Sequence, residues 1–160
     1  MGVGKTAACR QLQQLLDRSV FLDGDWCWDA HPFQVTEETR EMVLENIAFL
    51  LNSFLRCSAY DHVIFCWVLH RREIWADLLR RLTEPYALRA VSLVCTPEAL
   101  RARLEGDIRA VVRQPDAVDR SLAYLPLYDA LDVRRLDVTD LTPRAAAERI
   151  WADTEKERKP

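Results

Sequence analysis

The chain has 160 residues and a mass of 18.6 kDa, enough for one domain with a sizeable core. A formal net charge of -3 and a pI near 5.7 argue against nucleic acid or an anionic membrane as its main partner. No apolar run approaches the roughly 18–20 residues that cross a bilayer, and five widely spaced cysteines without a C-x-x-C fit a reduced cytoplasm, not a disulfide or zinc framework.

The chain opens Met1-Gly2-Val3-Gly4-Lys5-Thr6. Gly4, Lys5 and Thr6 fill the last three positions of G-x-x-x-x-G-K-[ST], a glycine-rich turn that runs into a helix and cradles phosphates. Backbone N–H groups from Gly2 to Ala7 can curl about an anion, and the helix N-terminus adds partial positive charge. In this pattern Lys5 reaches the β- and γ-phosphates of a nucleotide and the Thr6 hydroxyl ligates magnesium. Among 22 Lys+Arg the only lysines are Lys5, Lys156 and Lys159, so a lysine at this position stands out. The pattern's first glycine would lie two positions ahead of Met1, with the feeding strand before it. The expectation is that coding sequence ahead of Met1 supplies a strand ending in glycine.

Ala8, Leu12, Leu15 and Leu16 recur at helical spacing after the loop. Ser19 to Leu22 reads as a strand that ends in Asp23-Gly24-Asp25. Thr36, Glu37 and Glu38 start a helix to about Arg56, with Val43, Ile47, Leu50, Leu51 and Phe54 on one face. His62 to Leu69 is a continuous apolar run, as in a strand buried on both faces. A helix over about Arg72–Leu82 and a strand over Ala90–Cys95 follow. Thr96-Pro97-Glu98 caps a helix that runs toward Arg113, where Gln114-Pro115 interrupts it. Asp119–Leu131 reads as a helix broken by Pro126. Val133–Val138 is a last strand, and Thr142-Pro143 caps a helix to about Trp151. The predicted domain covers residues 1–153, with a charged tail over 154–160.

Strands alternating with helices predict an α/β fold with a parallel sheet flanked by helices. Right-handed crossovers put every strand's C-terminal end on one edge, where ligands bind. Two carboxylates at such an edge suit phosphoryl transfer, which needs one to hold magnesium and one to take the acceptor hydroxyl's proton. Asp23 is assigned the metal side and Asp25 the acceptor. Trp26, Trp28 and Phe33 follow as a floor for the acceptor, and His70 and Arg71, after the next strand, as further contacts. Arg101, Arg103, Arg109, Arg113 and Arg120 crowd the stretch after Thr96. Residues 106–119 read as a lid, and Arg109 and Arg113 as the cations it brings to the migrating phosphoryl group.

The segments GVGKT, FLDGDWCW, VSLVCTPEALRARL and LDVTDLTPRAAAERI together resemble the P-loop small-molecule and nucleotide kinases, the group of shikimate kinase, gluconate kinase and chloramphenicol phosphotransferase. The resemblance spans nearly the whole chain, and GKT is its one individually specific motif. It implies a three-layer P-loop NTPase fold, Mg-ATP as phosphoryl donor and an arginine-bearing lid. By the same resemblance Arg103 and Pro143 flank the adenine. The family's sheet carries the strand that precedes the loop in its middle, so that strand's absence would leave a gap there. Two functions stay open. One is an ATP-dependent phosphotransferase acting on a small hydroxylated molecule, a nucleoside or a nucleotide; the other is a non-catalytic nucleotide-binding protein.

Overall fold

A computed structural model of the chain describes residues 2–110, 116–129 and 131–158. In chain order the elements are α1 (Lys5–Leu15), β1 (Ser19–Asp23), a 3₁₀ turn (Gly24–Trp28), α2 (Glu37–Arg56), β2 (His62–Cys66), α3 (Arg72–Arg80), β3 (Val91–Val94), α4 (Pro97–Arg109), α5 (Ala117–Asp129), β4 (Arg134–Asp137) and α6 (Pro143–Arg158). The chain divides into two compact units, one of Met1–Leu12 with Arg89–Pro160, the other of Gln13–Leu88.

In the Gln13–Leu88 unit β1 and β2 pair in parallel, Ser19 opposite His62 through Asp23 opposite Cys66. Helix α2 begins where a capping box forms: the Thr36 hydroxyl accepts from Thr39 N–H, and the Thr39 hydroxyl accepts from Thr36 N–H. Its residues Val43, Leu44, Ile47, Ala48 and Leu51 make one buried stripe against Leu22 and Leu78. Each large aliphatic side chain so buried contributes about 1.5–3 kcal/mol. Leu50 and Phe54, expected on this face, pack at its margin. The Asn52 side chain splints the end of α3: its Nδ2 donates to Arg81 O at 2.9 Å and its Oδ1 accepts from Thr83 N at 2.8 Å. Arg81 in turn donates to both carboxylate oxygens of Glu41 at 2.7 and 2.9 Å, and to Asp77.

In the other unit β3 and β4 pair in parallel, Val91 opposite Arg134 through Val94 opposite Asp137. Ala8 of α1, Leu136, Val138 and Ala146 form one buried cluster, and Leu100, Leu104 and Val118 of α4 and α5 another. Thr96 caps α4 by accepting from Ala99 N–H, with Pro97 at the first helical position. Thr142 does the same for α6 through Ala145 N–H, followed by Pro143.

The structure departs from the sequence expectations at several points. The α/β order with parallel strands flanked by helices is as expected, but among the described residues the strands pair as two ladders, β1 with β2 and β3 with β4. β2 stops at Cys66, because Trp67 turns over Gly24 instead of continuing the ladder. β4 is exposed apart from Leu136, so it is not buried on both faces. Pro126 sits within α5 without ending it, and its missing N–H removes one helical hydrogen bond. Helix α6 continues past Trp151 to Arg158, since no Gly or Pro stops it and Thr154 Oγ1 donates back to Ile150 O at 2.9 Å. Helix α4 ends at Arg109. Of the expected lid, residues 106–109 belong to α4 and 117–119 to α5, while 111–115 lie outside the described residues. No helix among the described residues is long and apolar enough to cross a membrane.

Candidate active site

Two sets of residues carry the candidate chemistry, one in each unit. The first is the loop Gly2–Thr6. Gly2 and Gly4 have φ of +76° and +99°, a region that side-chain-bearing residues avoid. Gly2 is required twice over, because a Cβ there would lie 2.5 Å from Leu104 Cδ2. Gly4 has open space around it and is required by its dihedral alone. The first α1 hydrogen bond runs from Ala8 N to Gly4 O at 2.9 Å. The N–H groups of Lys5, Thr6 and Ala7 therefore lie ahead of the helical ladder, where an anion can be received. Lys5 and Thr6 are half-buried on the first turn, and Ala7 is exposed.

Arg103 of α4 reaches this loop. Its Nη1 donates to Val3 O at 3.3 Å, and its Nη2 to Val138 O at 2.7 Å and Thr139 O at 2.9 Å. Thr139 is pinned in turn: its hydroxyl accepts from Thr96 N at 3.1 Å and its N–H donates to Asp137 Oδ1 at 2.8 Å. The bonds from Thr139 hold the Asp137 carboxyl below its usual range. Burial pushes the nearby Cys95 thiol up, against the charge of Arg103. Pro143 opens α6 and is exposed, as is Arg109 at the end of α4; Arg113 lies outside the described residues.

The second set follows β1. Asp23 is 4% exposed and caps the 3₁₀ turn, its Oδ1 accepting from Asp25 N–H at 3.1 Å, while Asp25 is exposed. The Trp28 ring lies 4.8 Å from that of Phe33, and Trp26 meets the Phe21 edge at 5.2 Å. Trp28 and Cys27 pack on the α2 core, whereas Trp26 is 53% and Phe33 59% exposed. Burial, with the Asp23 charge in support, raises the Cys27 thiol. In the loop after β2, burial lowers His70 below the ordinary imidazole range, opposed by a hydrogen bond to the Val68 main chain. Arg71 is exposed and precedes α3.

Sequence reasoning missed three supports of these sets: Leu100 and Leu104 beneath Gly2, Thr139 behind Arg103, and Trp67 above Gly24. None of them left a signal in the sequence, since each matters through a contact with residues far away in the chain. A Cβ on Gly24 would meet Trp67 Cγ at 2.5 Å. Gly24→Ala is therefore expected to destabilise the chain by about 1–3 kcal/mol, the usual cost of overpacking. Chemical denaturation checks this; an unchanged midpoint would show that the indole moves aside freely.

A glycine loop ending in GKT at a helix start, within parallel strands and helices in this order, defines a P-loop NTPase. The sequence model of the family described as an AAA domain matches residues 1–119, and the chain belongs to that family. Among solved structures it is similar to a gluconokinase from Sinorhizobium meliloti 1021, at 19% identity and a TM-score of 0.64 over 98% of this chain and 90% of that one. It is also similar to the tunicamycin resistance protein of Deinococcus radiodurans, at 17% identity and a TM-score of 0.68 over 96% and 90%. A sugar kinase from Janibacter sp. HTCC2649 matches at 21% identity and a TM-score of 0.66 over 99% and 91%. At these identities the likeness is one of fold. No curated protein sequence matches the chain.

Proposed function

We propose that the chain is an ATP-dependent phosphotransferase that moves the γ-phosphoryl group to a hydroxyl of a small molecule. The observation that carries this reading is the loop itself: Gly2 and Gly4 hold the left-handed conformations a phosphate cradle needs, immediately before Lys5 at the start of α1. Lys5 and the Gly2–Ala7 main chain hold the phosphates. Thr6 would hold magnesium, with Asp23 on the metal side through water; a hydroxyl and one carboxylate suit an ion that keeps most of its waters. Magnesium, when bound, would neutralise part of the charge on the transferring phosphates. Arg109 and Arg113 answer the charge on the migrating group, and Pro143 borders the adenine. Asp25 orients the acceptor hydroxyl and takes its proton.

Trp26, Trp28, His70 and Arg71 are the acceptor contacts in this reading. Residues 21–38 carry Asp23, Asp25, Asp29, Glu37 and Glu38 but no lysine or arginine, and more than half of Trp26 and Phe33 faces solvent. That composition favours an uncharged acceptor with an apolar face over an anionic one. All five cysteines are free, which suits a reducing cytoplasm. Calorimetric titration with Mg-ATP, followed by an acceptor screen for ADP release, tests the proposal. Saturable binding and acceptor-dependent release are expected. A folded chain that binds neither ATP nor GTP would end the kinase reading, and binding without transfer to any acceptor would favour a non-catalytic nucleotide-binding role.

A further inference from the structure

We infer that Arg103 is a positioning residue for the phosphate cradle, acting through the Val3 carbonyl and not through a base; this rests on reading Gly2–Thr6 as the phosphate loop. In a trans peptide the C=O and the next N–H point in opposite directions from one rigid plane. Pinning Val3 O to Arg103 therefore fixes the direction of Gly4 N–H, one of the donors offered to the anion. Gly4 is the residue that most needs such help. Its φ is +99°, and among the described residues nothing stands within 4 Å of where a Cβ would be.

The brace has a firm footing. The same guanidinium is bonded to Val138 O and Thr139 O, at the turn after β4, and Thr139 is tied to the α4 cap and to Asp137. One residue further along α4, Leu104 is fully buried and lies under Gly2. Helix α4 thus grips the loop at consecutive peptide planes, by a hydrogen bond at Val3 and by contact at Gly2. Three main-chain carbonyls held by one planar fork is a task for arginine; a lysine keeps the charge but cannot reproduce the fork.

The test compares Arg103→Lys with the wild-type chain, using Mg-ATP and magnesium tripolyphosphate as probes. Tripolyphosphate has no base, so a residue acting through the loop matters equally for both ligands. Arg103→Lys is expected to weaken both by the same factor, about tenfold, in line with losing a charge-assisted hydrogen bond. A loss confined to ATP would instead place Arg103 on the adenine, and wild-type affinity for both would mean that charge alone suffices; either result overturns the inference. Hydrogen exchange of the ligand-free proteins gives an independent readout. Amides of residues 8–11, the first to be bonded in α1, should exchange faster in the variant while those of β1 and β2 do not change. No difference, or a uniform rise throughout the chain, would count against the brace. Wild-type protein that binds neither probe would sink the phosphate-loop reading itself, and the exchange result would still judge the brace.

Discussion

Lys5→Ala is expected to lower phosphoryl transfer by about 10²–10³-fold or more, the usual cost of removing a preorganised donor from developing charge. Lys5 stands at the first position of α1, the end where its charge is least favourable to the helix itself. A cation there is retained against the dipole, which makes sense when an anion occupies the space beyond it. Alanine is also the best helix former, so the variant should fold with an unchanged melting temperature. The loss is then chemical. Single-turnover transfer from labelled ATP, run beside a thermal melt, separates the two effects. Transfer at the wild-type rate by a folded variant would remove Lys5 from the mechanism.

Asp25→Asn should be nearly as damaging to transfer and nearly silent in nucleotide binding. Asp25 is exposed, and its main-chain N–H donates to Asp23 Oδ1, a bond that asparagine preserves. What asparagine removes is the ability to take a proton, worth about 10²–10⁴-fold in general-base catalysis. Affinity for Mg-ATP is expected to stay within about twofold, since a proton acceptor for the second substrate makes no bond that nucleotide binding requires. Asp23 would be the poorer target: it is buried and caps the 3₁₀ turn, so its replacement mixes folding with chemistry. The assay is acceptor-dependent ADP release with the best acceptor from the screen. Unchanged turnover would move the base elsewhere.

What could be read from the sequence was whatever is decided locally. Thr36, Thr96 and Thr142 cap the helices they were expected to cap, because a hydroxyl three residues ahead of an N–H is a relation within one turn. The face of α2 was legible for the same reason, and so was the GKT loop, whose glycines adopt the positive φ that such a loop demands. Pairing is another matter. That β1 and β2 form one ladder and β3 and β4 another depends on partners 43 residues apart in each case, Ser19 with His62 and Val91 with Arg134, and no residue type encodes it. Trp67 misled for a related reason: within HVIFCWVL it extends an apolar run, and only its contact with a glycine far back in the chain takes it off the strand. The candidate residues, Lys5 and Asp25 above all, were proposed from residue type and spacing. Their supports were not, since Leu104 and Thr139 are ordinary residues made important by what they touch.

Asn52 has a consequence for where the chain can change length. By holding both Arg81 O and Thr83 N it finishes α3 at a fixed point, and Arg56 pairs with Glu84 at 3.3 Å just beyond. From Pro85 to Arg89 the chain is exposed and free of regular structure, and the border of the two compact units falls there, after Leu88. Insertions, tags or new termini belong in those five positions, where added residues meet solvent. Two residues earlier, the same insertion would pull apart an amide that has a partner on each side.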